Sequence, residues 1–407
     1  MRYISTRGMA PRVDFEGALF SGYAPDGGLF MPEELPQLSI ETLRQWSTLS
    51  YPGLVKELCT LFVGPELIPR DVLNGLIDQA FSRFRHGEVV HLSRLRNGLN
   101  VLELWHGVTY AFKDLSLCCT AQFLQYFLEQ KEKHVTVVVG TSGDTGSAAI
   151  ESVQGAKNMD IIVLLPKGHC TKIQELQMTT VLRENVHVFG AGCIAQKMGL
   201  PIRLVVAVNR NDIIHRTVQQ GDFSLSEAVE QTLASAMDIQ VPYNMERIFW
   251  LLSGSNSQVT RALMEQFERT QSVSLPKELH SKLSGAVTSE SVSDEAITQT
   301  MARCWEENKY LLCPHSAVAV SYHYQQTEQQ PPSLPRCCLA PASAAKFPEA
   351  VLAAGLTPET PAEILALESK GTRCTPMRKG DDWTLMLRDT IEDISCQQRG
   401  HFLNALE

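Results

Sequence analysis

The chain has 407 residues, 44% of them hydrophobic and 20% charged. That balance excludes disordered and collagen-like chains, and at about 150 residues per domain it predicts two to three domains. Lysine and arginine total 36 against 45 acidic residues, a net charge of −9, which argues against a general binder of nucleic acid or acidic membrane.

Residues 1–90 alternate short apolar stretches with turn clusters, Pro25-Asp26-Gly27-Gly28 being the clearest, and with helical stretches at 39–62 and 70–84. From about residue 100 the pattern changes. A β-branched run at 135–139 ends in a glycine-rich turn, 140–146, and an alanine-rich helix follows. A second apolar strand at 161–165 is closed by Pro166. A helix at 172–182, a third short strand at 186–189, a helix at 194–198 and a fourth strand at 202–208 come next. Strand and helix alternating at this spacing predict an α/β fold with a parallel sheet buried on both faces. Apolar spacing then predicts helices at 224–236, 244–252, 257–270, 294–308 and 316–326. A loop at 325–335 and a last short strand at 337–339 follow, and beyond 350 the sequence is small, polar and mixed in charge.

The eleven cysteines include no C-x-x-C pair, so free thiols in a reducing compartment are expected. No apolar run is long enough to span a bilayer. The first residues lack the apolar core of a secretory signal, which makes the cytoplasm the expected location. No histidine pair has metal-ligand spacing, so no metal is expected. The absence of G-x-S-x-G leaves serine-hydrolase chemistry without a foothold.

Two segments offer chemistry. The turn Gly140-Thr141-Ser142-Gly143-Asp144-Thr145-Gly146 joins a buried strand to a helix start. Free N–H groups and the positive end of the helix dipole there suit a carboxylate or phosphate, and an ordinary capped turn would have the same sequence. The glycines match neither a dinucleotide fingerprint nor a Walker A loop. The second segment, 104–117, embeds Lys113 among Phe112 and other apolar residues just before a helix. Apolar surroundings disfavour the ammonium form, and a neutral amine is what Schiff-base chemistry needs; a lysine snorkelling to solvent beside Asp114 is the plain alternative. His106 and His315 are the histidines of interest, each beside a glycine or proline that also suits a structural role.

Taken together these segments resemble the threonine synthase family, most closely its animal branch of phospho-lyases. The resemblance rests on Tyr3-Ile4-Ser5-Thr6-Arg7-Gly8, on 23–32, on 106–114 with its Phe112-Lys113-Asp114 triplet, and on 141–146. It continues through 197–202, Asn209-Arg210-Asn211-Asp212, 236–242, Pro314-His315-Ser316-Ala317-Val318 and Ala344-Ala345-Lys346-Phe347-Pro348. It implies a tryptophan-synthase-β-like (fold type II) enzyme that binds pyridoxal 5'-phosphate. A threonine-synthase-type N-terminal domain at 1–90, a cofactor domain at 91–350 and a C-terminal extension at 351–407 are implied with it. Lys113 would carry the cofactor beside Phe112, Ser343 would face its pyridine nitrogen, and Ser142, Gly143, Asp144 and Thr145 would hold the carboxylate of a small phosphorylated amino acid. The implied reaction is elimination of phosphate from O-phosphothreonine or O-phosphohomoserine to give 2-oxobutanoate and ammonia. Threonine synthesis, or an inactive variant acting through protein contacts, stands as the alternative.

One departure from the family pattern bears on all of this. The family's glycine-rich phosphate loop, with at least one strand before it, is absent, because 188–190 run straight into 191–197. The deletion lies near 190–193 and removes part of the central sheet. Gly190 and Gly192 are left as the candidate phosphate contacts.

Overall fold

The computed structural model describes residues 1–141, 143–165, 170–179, 191–329, 335–372, 374–378 and 380–404, without side chains at 191–193 and 397–404. Ser142, Pro166, Gly190 and the strand expected at 186–189 lie outside the described residues.

The chain opens with β1 (Tyr3–Ser5), which pairs antiparallel with β2 (Phe30–Pro32). Between them α1 (Phe15–Phe20) starts at Asp14, whose carboxylate accepts from the Gly17 N–H at 2.8 Å. The stretch expected as one helix at 39–62 is two, α2 (Ile40–Trp46) and α3 (Tyr51–Phe62). Ser50 caps a second start and Pro52 sits in its first turn, a position where the missing N–H costs nothing. Helix α4 (Arg70–Phe81) follows, then β3 (His91–Arg94) antiparallel to β4 (Leu99–Glu103).

Helix α5 (Asp114–Gln130) is buried on opposite faces. Leu115, Cys119, Phe123 and Phe127, four residues apart, share a core with α4. Ala121, Leu124 and Leu128 pack on β5 (Val135–Gly140) and β6 (Met159–Leu164). These strands pair in parallel from Val135↔Met159 to Gly140↔Leu164, with α6 (Asp144–Val153) as the connection. Then come α7 (Lys172–Thr179), α8 (Ala191–Lys197), β7 (Leu204–Val208), α9 (Ile213–Gln220) and β8 (Asp222–Ser224).

The helix expected at 224–236 does not form. Side chains claim the backbone of this stretch. The Glu230 N–H donates to Asn211 Oδ1 at 2.9 Å, the Thr232 N–H to Asp238 Oδ2 at 2.9 Å, and the Leu233 N–H to Asp294. Only a short turn of 3₁₀-helix, Ser235–Met237, remains. Such side-chain bonds compete directly with the helical ladder.

The remaining elements are α10 (Met245–Leu252), α11 (Ser257–Thr270), β9 (Ser272–Ser274), α12 (Lys277–Ala286), β10 (Val287–Ser291), α13 (Asp294–Asn308) and α14 (Pro314–Gln329). They are followed by β11 (Arg336–Ala340), α15 (Pro348–Ala353), α16 (Ala362–Leu365) and α17 (Trp383–Asn404). Strand β9 pairs with β8, β10 pairs in parallel with β7, and β11 pairs in parallel with β4.

The parallel strands thus stand in three pieces, β5–β6, β7–β10 and β11–β4–β3, and among the described residues no ladder joins them. Val138 and Val205 are each 43% exposed on their strands and Leu339 is 55% exposed, although parallel strands are ordinarily covered on both faces. No described helix is long and apolar enough to cross a membrane.

Candidate active site

Three loops leave the carboxyl ends of parallel strands: 104–113 after β4, the turn with Thr141 and Gly143 after β5, and 341–347 after β11. In α/β folds such loops build ligand sites. The first and the last of these are tied together. The Phe112 N–H donates to the Pro341 carbonyl at 2.7 Å and the Ser343 N–H to the Tyr110 carbonyl at 3.0 Å. Tyr110 takes a left-handed φ of 59° to make the turn toward α5.

Lys113 stands at the start of α5, 7% exposed, its Nζ 4.6 Å from the Phe112 ring centroid. Burial lowers its pKa; the Lys346 charge adds to that, while Asp144 and Asp114 oppose it. Lys346 is wholly buried. Its Nζ lies 2.7 Å from Asp144 Oδ1 and donates to the Thr109 carbonyl at 2.8 Å. Asp144 also accepts from Gln174 Nε2 at 2.8 Å. Burial acts to raise the Asp144 carboxyl, but Lys346, Lys113 and Gln174 outweigh it and hold the group below the ordinary carboxylate range. Asp114 accepts from the N–H and Oγ1 of Thr109, at 2.9 and 2.8 Å, yet burial still pushes it up to about 6. Gly107 permits this contact, since a Cβ there would lie 2.3 Å from Asp114 Oδ2.

His315, the second residue of α14, packs against Phe347 with centroids 4.6 Å apart. The Ala236 N–H donates to its Nε2 at 3.1 Å, so the neutral ring carries its proton on Nδ1. Burial holds this imidazole down to about 4, with Asp144 pulling the other way. Its Nδ1, and the Oε1 of Gln177, are shielded from water with no partner among the described residues. Gln177 reaches the same Thr109 carbonyl through its Nε2 at 3.3 Å. Both orphaned atoms therefore border the lysine cluster.

The turn residues meet this cluster from the β5 side. Gly143 has φ of 154°, and a Cβ there would lie 2.7 Å from Gln174 Nε2. Thr141 Oγ1 accepts from the Gly143 and Gly146 N–H groups, both at 3.1 Å. Asp144 and Thr145 begin α6; the Asp144 carboxylate is already engaged, so any affinity of this turn for an anion resides in its backbone. Ser343 caps a short 3₁₀ turn by accepting from the Ala345 N–H at 3.3 Å. It lines a cleft of about 190 Å³ with Glu103, Trp105, Tyr310, Ser316 and Glu359; Lys113 is not on that wall. Gly192 is the second residue of α8.

Of the residues named from sequence, Lys113 lies beside Phe112 and within electrostatic reach of Asp144, and Gly143 abuts Gln174, which bonds Asp144; Ser343 lines the separate cleft. Lys346 falls within the motif at 344–348, which by itself assigns it no role. The available signal was a single lysine in an apolar run, Ala344-Ala345-Lys346-Phe347. Thr109, Gln174 and Gln177 carried no such signal.

The fold has close counterparts. The structure of pyridoxal-phosphate-bound threonine synthase from Brucella melitensis matches with a TM-score of 0.85 at 30% identity, over 93% of this chain and 96% of that one. Threonine synthase from yeast matches with a TM-score of 0.88 at 28% identity, over 97% and 99%. The family model for the threonine synthase N terminus matches residues 2–81, and that for the threonine synthase C-terminal region matches 316–387. The chain belongs to the threonine synthase family, a group of fold type II α/β proteins.

Within that family its relatives include threonine synthase-like 2 of Homo sapiens, 73% identical over 481 residues, covering 99% of each chain. That alignment exceeds the 407 residues of this chain by 74, so the relative carries internal residues without a counterpart here.

Proposed function

We propose that the chain is a pyridoxal-phosphate-dependent lyase that removes phosphate from phosphorylated hydroxy-amino acids, O-phosphothreonine and O-phosphohomoserine, and with the uptake of one water gives 2-oxobutanoate, ammonia and phosphate. The observation that carries this reading is Lys113, a buried amine whose surroundings favour the neutral, nucleophilic form. The site also fits the cofactor in a second way, since the orphaned His315 Nδ1 and Gln177 Oε1 call for a polar guest.

Lys113 would hold the cofactor through its amine, with Phe112 and Ser343 beside the ring and Gly190 and Gly192 toward the phosphate. Pyridoxal phosphate, when bound, supplies an electron sink that acidifies the substrate α-carbon and lets the phosphate leave. The turn of Ser142, Gly143, Asp144 and Thr145 would hold the substrate carboxylate by backbone N–H groups at a helix start. Fixing the carboxylate there would present the α-hydrogen to Lys113, whose Nζ, once the substrate amine has displaced it, would accept the proton. Burial keeps bulk water from competing for it. The name and identity of the threonine synthase-like 2 relatives support the family part of this reading, and a cytoplasmic enzyme without nucleic-acid or membrane partners is part of the same proposal.

The test is incubation of the full chain with pyridoxal phosphate and O-phosphothreonine. Equal release of 2-oxobutanoate and phosphate is expected. Threonine formed from O-phosphohomoserine would overturn the lyase reading in favour of a synthase. Neither product would support a second reading, a non-catalytic chain. That second reading is favoured by the 74 positions by which the human alignment exceeds this chain.

A further inference from the structure

We propose that His86, His91 and His106 form an acid-sensitive clasp on the loop 104–113, whichever reaction the site performs: the clasp is shut while His86 is neutral and stacked on His106, and a proton on His86 opens it.

The three rings come from different parts of the fold. His86 lies in the connection between α4 and β3, His91 begins β3, and His106 lies in the loop after β4 that leads to Lys113. The His86 and His106 rings are stacked, with centroids 3.9 Å apart and planes 20° from parallel. His91 stands across both, 5.9 Å from His86 and 6.4 Å from His106. Trp105 packs on His106 with centroids 4.4 Å apart. His86 is exposed, whereas the His106 side chain is only 8% exposed. His86 is therefore the outer ring of the stack, and it joins the 82–90 connection to the site loop.

The charges around the rings are unequally shared. Glu88, from the same connection as His86, bonds His91 Nδ1, and this bond raises the His91 pKa. Glu103 of β4 lies with Oε2 2.7 Å from His106 Nε2. It also accepts from Ser93 Oγ at 2.6 Å and from the Tyr310 hydroxyl at 2.7 Å. Burial acts to raise the Glu103 carboxyl, but the bonds from His106, Ser93 and Tyr310 outweigh it and bring the group to about 2, so it stays ionised. Two of the rings thus have a carboxylate beside them to receive a proton's charge. His86 bonds a backbone group instead, with Nδ1 2.7 Å from the Glu88 carbonyl oxygen. Arg85, the residue before it, pairs with Glu363 at 3.1 Å. In acid, when all three rings carry protons, the charge on His86 faces that on His106 across the stack. Like charges at that separation repel, and the exposed ring gains hydration by leaving. The open state then binds one proton more than the shut one, and opening grows up to tenfold for each unit that the pH falls.

Hydrogen exchange of the full-length chain at pH 7.5 and pH 5, corrected for the intrinsic pH dependence of exchange and read by mass spectrometry on peptides from 104–113, measures the opening without cofactor or substrate. In the parent chain the loop should open about tenfold more often at pH 5, or more, while peptides of α11 keep their protection. His86→Phe keeps a stacked ring that takes no proton and should abolish the increase. His86→Lys, charged at both pH values, should leave the loop open already at pH 7.5, and His86→Gln, which also lacks the ring but carries no charge, should open it less than His86→Lys. No increase in the parent chain, an increase that His86→Phe leaves intact, or equal opening in the lysine and glutamine variants overturns the proposal. Exchange is read without turnover, so a chain that shows this pattern and releases no phosphate from O-phosphothreonine refutes the lyase reading alone.

Discussion

His315 and Gly143 show how single residues set the conditions around the lysine cluster. Burial holds the His315 imidazole down to about 4, against about 6.5 in an unfolded chain. The folded state therefore prefers the neutral ring. The stability this gives is complete above pH 6.5 and is lost as pH falls toward 4. Between pH 7 and 4.5 the loss is about 2 kcal/mol, and His315→Gln should remove it. Asp114, raised to about 6, acts in the opposite sense and favours the folded state as pH falls, so the difference between parent and variant isolates the histidine. Urea melts of both chains at the two pH values measure it, and equal pH slopes would contradict the assignment. Gly143→Ala places a methyl group 2.7 Å from Gln174 Nε2 at a φ of 154°. It should cost at least about 1 kcal/mol, and a melt no lower than the parent's would show that the turn is not constrained as described.

At the scale of elements, the first strand is fastened to a helix far along the chain. Glu246 of α10 accepts from Thr6 Oγ1 at 2.5 Å and from Arg7 Nη2 at 3.1 Å, and both charged side chains are buried. Arg7→Met leaves that carboxylate uncompensated and should destabilise the fold by about 3–5 kcal/mol. The denaturant midpoint reports this directly, and an unchanged value would mean that the pair does not anchor β1. What could be read from sequence follows the same division. Runs such as 135–139 and 161–165 announced β5 and β6 because strand periodicity and the flanking glycine or proline are local signals. The stretch 224–236 has helical spacing, yet Asp238 just beyond it and the more distant Asn209, Asn211 and Asp294 capture its backbone. No local pattern encodes that capture. Lys113 was legible through its apolar neighbours and its resemblance to a known triplet. The partnership of Lys346 with Asp144 joins residues 202 positions apart and emerges only in three dimensions.

At the scale of the molecule, the parallel strands stand in separate pieces among the described residues, with apolar residues uncovered, and the human relative holds residues that this chain lacks. Inserting the relative's extra segment between Gly190 and Ala191 should cover Val138 and Val205, raise the melting temperature and slow cofactor loss on dialysis. A longer chain that melts no higher would place the missing residues away from the sheet. The central claim, that Lys113 holds pyridoxal phosphate covalently, is tested most directly by adding the cofactor, reducing with borohydride and mapping the modified peptide. The account predicts a pyridoxyl group on Lys113, together with a visible absorption band before reduction that Lys113→Ala abolishes. A spectrum equal to protein plus free cofactor, with Lys113 unmodified, would contradict it.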